Sequence, residues 1–341
     1  MRIAQLASLW KTVPPKKYGG SELVVSLLTE ELVKLGHDVT LFACGGSKTA
    51  GHLNEVTPKP LYETLGQFKF DAVQFQEFLA IKKAFDLAKN GEIDVIHNHM
   101  GFHIALLSNV SPVPMITTLH SSLSPDNEEI ALAAKNSNYV SISNAQRTLA
   151  PYLNYVGTVY HGIENSKFTF KEKKGNYLLF LATMWKEKGV DRAIEIARKT
   201  KLKLLMAGEI RRQSDFDEIS KYIDGENIIY LGEIDLKEKV KLMANAKAYL
   251  FPIRWNEAFG LTVAESLACG TPVIAYPNGS LPEIIDNGET GFLVNSINEA
   301  VEAVAHIDQI SRVKCRQTAV NRFDASVMAE NYLNIYHKIS K

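Results

Sequence analysis

Residues Ala248–Ala275 read AYLFPIRWNEAFGLTVAESLACGTPVIA, and the two ends of this stretch point to the fold class. Ala248–Phe251 and Pro272–Ala275 are short apolar runs bounded by Pro or Gly, the pattern of strands buried on both faces. Leu261–Ala268 between them reads as a helix, with Gly270 just beyond its end. Strand, helix and strand in that order make a parallel crossover unit.

The same alternation recurs on both sides. Arg2–Leu6 reads as a strand, and a helix over about Ser21–Leu35 carries Leu23, Leu27, Leu28, Leu32 and Leu35 at helical spacing before Gly36. Asp38–Ala43, Asp94–His97, Met115–Leu119 and Tyr139–Ile142 read as further strands. His52–Gln74 shows no clear period and is taken as irregular, a stretch to shape the acceptor side. Asn165–Asn176, NSKFTFKEKKGN, is polar and reads as a linker. Strands then resume at Tyr177–Ala182, Leu202–Ala207 and Ile228–Leu231, with helices at Val190–Lys199 and Asp235–Ala244. The expectation is α/β: a Rossmann-like domain over 1–164, a second over 165–324, and a terminal helix 325–341 that packs back on the first. In open α/β sheets ligands bind beyond the carboxyl ends of the strands, so a cleft between two such domains is the expected site.

Composition sets the outer bounds. The 341 residues hold 38 Lys+Arg and 38 Asp+Glu, so a strongly basic nucleic-acid binder and an acidic disordered tail are both excluded as global readings. The longest apolar run, Leu178–Trp185, is far short of the roughly 18 residues that cross a bilayer. Cys44, Cys269 and Cys315 form neither a disulfide framework nor a C-x-x-C motif, which fits a reducing, cytoplasmic location.

Chemistry concentrates in Arg254–Ala275. Phe259-Gly260-Leu261 opens the helix, where free N–H groups and a partial positive charge favour phosphate. Glu257 lies just before it and Glu265 about one turn in. A carboxylate only accepts hydrogen bonds and can take two hydroxyls at once, as a ribose or sugar diol offers. Two surface glutamates on a solvated helix would give the same letters.

The glutamate pair around Phe259-Gly260-Leu261, followed by Ala268-x-Gly270-Thr271-Pro272-Val273-Ile274-Ala275, resembles the donor-site signature of retaining glycosyltransferases of family 4, which have the GT-B fold. The resemblance runs along nearly the whole chain. It takes in Tyr18-Gly19-Gly20-Ser21-Glu22, Gly36–Phe42, Asp94–His97, Thr118-Leu119-His120, Ser141-Ile142-Ser143, His161-Gly162-Ile163, Gly279–Glu283 and Gly288–Val294. It implies transfer of a sugar from a nucleotide-sugar donor, most commonly a UDP-sugar, to a sugar, lipid or cell-surface glycan, with retention. The donor is a co-substrate, and neither a cofactor nor a metal is implied. A lipid acceptor would bring peripheral contact with the inner face of a membrane.

By the same resemblance Glu265 binds the ribose, Glu257 the donor sugar, and the backbone at Phe259, Gly260 and Leu261 the sugar and phosphate. Gly19 and Gly20 offer N–H groups to the phosphates, and Glu233 and Ile234 lie near the base. His120 faces a sugar hydroxyl or the acceptor. Lys188 matches the lysine of the family's G-R-x-x-x-x-K-G stretch, but Thr183 stands at the arginine's place. A hydroxyl cannot replace a guanidinium fork, so either Arg254, Arg211 or Arg212 compensates, or diphosphate binding is weaker, or the activity is altered. Lys16 and Lys17 are candidates to steer an anionic acceptor. His97, His99 and His103 suggest a metal group by proximity, but no carboxylate pair or cysteine accompanies them. A nucleotide-sugar epimerase and a non-catalytic nucleotide-sugar-binding protein share the fold. A dehydrogenase is disfavoured because G-x-G-x-x-G is missing.

Overall fold

The structure is a computed structural model that describes residues 1–16, 19–65, 70–121 and 127–340. The chain forms two compact units, one of residues 1–162 with 325–341, the other of residues 163–324. Each is built around an all-parallel sheet.

The first sheet contains β1 (Arg2–Leu6), β2 (Asp38–Cys44), β3 (His52–Thr57), β4 (Val95–Asn98), β5 (Met115–Thr118), β6 (Asn138–Ser141) and β7 (Tyr155–Thr158). Their order is β3-β2-β1-β4-β5-β6-β7. The central strands β4 and β5 are buried along their whole length, and the polar residues that end them, His97 and Asn98 on β4 and Thr117 and Thr118 on β5, hydrogen-bond to buried partners. The edges are different. β3 is half-buried and polar in sequence, so the expectation of an irregular stretch is corrected there: His52–Thr57 is an edge strand. Helices Leu61–Leu65 and Phe70–Lys89 follow it, and the intervening 66–69 lie outside the described residues.

The second sheet contains β8 (Tyr177–Leu181), β9 (Lys203–Ala207), β10 (Ile228–Tyr230), β11 (Ala248–Phe251), β12 (Val273–Ala275) and β13 (Gly291–Leu293), in the order β10-β9-β8-β11-β12-β13. The polar interval expected as a linker is held against this unit. Asn165 and Phe168 are buried, and Arg316 donates to the carbonyls of both. Arg312 is also buried, and its guanidinium donates to the carbonyls of Lys171, Ala244 and Ala246 and to Thr271 Oγ1. One cation thereby satisfies the end of the helix Leu236–Asn245 and the start of the chain segment before β12.

The terminal helix Ala325–Ile339 belongs to the first unit and buries Met328, Ala329, Tyr332, Ile335 and Tyr336 there. Its two tyrosines do more than fill space. Tyr336 Oη bonds Gln5 of β1 and His97 of β4, and Tyr332 Oη bonds Thr118 of β5.

Candidate active site

In the second unit two loops at carboxyl ends of strands meet. The loop after β8 runs through a short turn, Lys186–Lys188, into the helix Val190–Thr200. The loop after β11 leads into the helix Leu261–Ala268. Gly260 caps that helix at φ 90°, a left-handed conformation that a side chain would strain. Ser280 steadies the turn, its Oγ donating to the Phe259 carbonyl at 2.8 Å and its N–H to the Glu257 carbonyl at 2.9 Å.

Lys188 and Glu257, far apart in sequence, pair across these loops with Nζ 3.1 Å from Oε2. The same carboxylate oxygen accepts from the Trp255 indole at 2.9 Å. The Lys188 ammonium also sits 3.7 Å from the centre of the Trp255 ring. Burial pulls the Lys188 pKa below the ordinary lysine value, and the Glu257 charge only partly offsets that. Trp185 packs edge-on against Trp255 with centroids 5.7 Å apart. Neither tryptophan is marked by a motif, and only the folded loops reveal that Trp255 walls the lysine with Trp185 packed behind it.

Glu265 is buried, and both its oxygens are held by Lys239 Nζ, at 2.7 and 2.8 Å. Lys239 lies on the helix Leu236–Asn245, capped by Asp235. No local pattern pairs two residues on separate helices, so the sequence reading misses Lys239. Glu233 and Ile234 lie on the loop between β10 and that helix, next to Gly232, whose carbonyl accepts from the Gly208 N–H at 2.9 Å.

In the first unit Gly19 caps the helix Gly20–Lys34, and its carbonyl accepts from Leu23 N–H at 3.1 Å. Glu22, buried, brings its own carboxylate to this helix start, where Ser21 Oγ donates to it at 3.1 Å. Lys16 approaches Glu63 at 3.9 Å, while Lys17 and Tyr18 lie outside the described residues. His120 follows β5, half-buried, with Nε2 2.9 Å from His99 Nδ1 and Nδ1 3.4 Å from His161 Nε2. Burial pushes its pKa down to about 4. His97, His99 and His103, close in sequence, turn to different partners. His97 bonds Tyr336 and Thr118, His99 bonds Gln5 and His120, and His103 pairs with Glu77 at 2.7 Å.

Residues 163–321 match the family model of glycosyl transferases group 1, and residues 18–162 match that of glycosyltransferase family 4. The chain belongs to the family 4 glycosyltransferases. An uncharacterised 41.2 kDa protein of the cps region of Klebsiella pneumoniae is 33% identical over 48% of this chain and 47% of its own length, so that match spans about half of the relative. N-acetyl-alpha-D-glucosaminyl L-malate synthase of Bacillus anthracis is 23% identical over 94% of each chain. Among solved structures, a glycosyltransferase from Rickettsia africae superposes with a TM-score of 0.77 at 20% identity, covering 100% of this chain and 98% of its own. HepE of Anabaena, solved with UDP and glucose, gives 0.73 at 17% identity, covering 98% of each. These likenesses establish the GT-B fold.

In this glycosyltransferase the candidates for the missing arginine differ in their partners, Arg211 Nε pairing with the exposed Glu209 carboxylate at 3.0 Å. Arg254 is engaged. It forks onto Asp191 at 2.7 and 2.6 Å and also donates to the Lys186 carbonyl, which lowers the Asp191 pKa against the opposing effect of burial. Arg211 and Arg212 lie on the loop after β9. Met184 N–H donates to the Glu209 carbonyl at 2.9 Å, and a side chain at Gly208 would meet the Ala182 carbonyl at 1.9 Å. These contacts press the loop that carries both arginines against the loop that carries Thr183. Arg212 lies 5.4 Å from the Trp185 ring centre, and the Arg211 charge reaches Lys188 and lowers its pKa.

Proposed function

We propose that this protein transfers a sugar, with retention, from a UDP-sugar to a sugar, lipid or cell-surface glycan acceptor, without a metal. The observation that carries the reading is the Lys188–Glu257–Trp255 group beside the Gly260-capped helix. A diphosphate brings more negative charge than a single carboxylate. It therefore draws Lys188 away from Glu257 and frees Glu257 to accept sugar hydroxyls. Backbone N–H groups at Gly260 and Leu261 add donors at the positive end of the helix Leu261–Ala268. Arg211 and Arg212 supply the cationic charge that Thr183 lacks. Glu265 takes the ribose hydroxyls alongside Lys239, and the Glu233–Ile234 loop lies by the base. His120 meets a sugar hydroxyl, and Gly19 and Gly20 present N–H groups to the phosphates.

In the reaction the acceptor hydroxyl attacks the anomeric carbon on the face that the leaving group vacates. The new carbon–oxygen bond forms as the bond to the β-phosphate oxygen breaks, and the acceptor proton passes to the departing phosphate. The protein contributes positioning and stabilisation of the growing phosphate charge. Support for the UDP-sugar comes from Anabaena HepE, whose structures hold UDP and UDP-glucose. Among the described residues no helix is long and apolar enough to cross a membrane, and a lipid acceptor would be met peripherally.

The test is a thermal-shift screen with UDP-, GDP- and ADP-sugars, since a ligand bound only by the folded state raises apparent stability. A shift with UDP-sugars alone is expected, followed by transfer with retained configuration in acceptor panels. The Thr183 departure keeps a second outcome in view: tight donor binding with no turnover on any acceptor marks a nucleotide-sugar-binding protein. Epimerised donor formed without acceptor marks an epimerase.

A further inference from the structure

Inside the first unit a single chain of polar side chains runs between β1, β4, β5 and the terminal helix. Gln5 stands at its centre, fully buried. Its Oε1 lies 2.8 Å from His99 Nε2, and its Nε2 donates to Tyr336 Oη at 3.2 Å. On one side, His99 Nδ1 lies 2.9 Å from His120 Nε2. On the other, Tyr336 Oη lies 2.7 Å from His97 Nδ1, His97 Nε2 lies 2.7 Å from Thr118 Oγ1, and Thr118 Oγ1 lies 2.9 Å from Tyr332 Oη.

With each hydroxyl of the chain giving its hydrogen to the next member, the donor in these contacts follows from Gln5. An amide oxygen only accepts, so His99 carries its proton on Nε2. A neutral imidazole has one donor and one acceptor, so His99 Nδ1 accepts and His120 Nε2 must donate to it. Tyr336 Oη accepts from the Gln5 amide and gives its own hydrogen to His97 Nδ1. His97 then donates from Nε2 to Thr118, and Thr118 to Tyr332. Turning the Gln5 amide over would reverse every bond, giving Nδ1–H tautomers at His97, His99 and His120. The amide orientation therefore sets the polarity of the whole chain.

We propose that Gln5, acting through His99, is a positioning residue that holds His120 in its Nε2–H tautomer and leaves Nδ1 as an acceptor for a substrate hydroxyl. Among the described residues that nitrogen meets His161 Nε2 in a long contact, which a substrate hydroxyl at ordinary hydrogen-bond distance can displace. The His161 ring is stacked on His120 at 26° with centroids 5.1 Å apart, and the 3.4 Å separation is long for a hydrogen bond. The hydroxyl rests on the glycosyl-transfer reading; the tautomer does not.

The experiment is nitrogen-15 NMR of the unliganded full chain with labelled histidines, with the His120 signals identified by their loss in His120→Gln. Expected are Nε2–H tautomers at His97, His99 and His120. Nδ1–H tautomers at His99 and His120 would overturn the assignment, and this measurement needs no variant of Gln5 to fold. Gln5→Met removes the amide but keeps the side chain's length. It should move His99 and His120 toward Nδ1–H, because His99 then gains more by donating to His120 than by pointing a proton at a thioether. An unchanged Nε2–H population in folded Gln5→Met refutes the role of Gln5. If the tautomers are as stated but UDP-glucose fails to perturb the His120 signals, the tautomer assignment stands and the hydroxyl partner is refuted.

Discussion

Mild acid should unfold the first unit, and the histidines supply the magnitude. Burial holds His97, His99 and His161 well below their ordinary pKa of 6.5, and His120 at about 4. In the unfolded chain all four titrate near 6.5. Below that value the unfolded state binds protons that the folded state refuses, so stability falls as pH falls from 6.5 toward 4. Between pH 7 and pH 5.5 the four together lose about 5 kcal/mol. Typical domains are stable by only about 5–15 kcal/mol, so the change is decisive. The partly buried His37 is shifted the same way and adds to it. The Asp94 carboxyl, held below its ordinary value by the Arg2 guanidinium, stays out of this window. The assay is urea unfolding at pH 7 and pH 5.5, read by hydrogen exchange in peptides from β4 and β5. The midpoint should drop sharply at pH 5.5, and His97→Gln should shrink the drop by about one histidine's share. Equal midpoints at the two pH values would refute the reasoning.

Other outcomes follow from single contacts. Lys188→Met should weaken UDP binding by about tenfold or more while leaving uridine binding unchanged in calorimetry; an equal loss for both ligands would mean that Lys188 acts through the fold. Arg211→Gln and Arg212→Gln should each weaken UDP binding at low salt, with the effect fading as salt rises. Arg254→Gln breaks the fork onto Asp191 and should lower the melting temperature of the second unit with no loss selective for UDP. Arg312→Met leaves the carbonyls of Ala244 and Ala246 without their buried donor and should cost about 2–4 kcal/mol in denaturant unfolding, with UDP affinity retained in whatever remains folded.

Legibility along the chain tracked burial. β8 and β11 stand out as apolar runs, and β4 and β5 begin on apolar pairs, because both of their faces are covered. The half-buried edge strands β3 and β7 escape notice because an edge needs little apolar surface and its pairing is set by the neighbouring strand. The helix Leu261–Ala268 with Glu257, Gly260 and Glu265 was readable because its chemistry lies within one short segment. Lys239 on Glu265, Trp255 on Lys188 and Tyr336 on Gln5 were not, since each pair joins separate elements.

The sequence alone therefore determined the α/β class, the crossover units and the segment that carries the glutamate pair, because those depend on local period and spacing. Tertiary structure decided which charges are already engaged. It locked Arg254 onto Asp191, brought Arg211 and Arg212 beside the Thr183 loop, and tied the terminal helix through Gln5 to His120. The reason is physical: hydrogen bonds and ion pairs act over about 3 Å in space, and no spacing along the chain records which loops the sheet will bring that close.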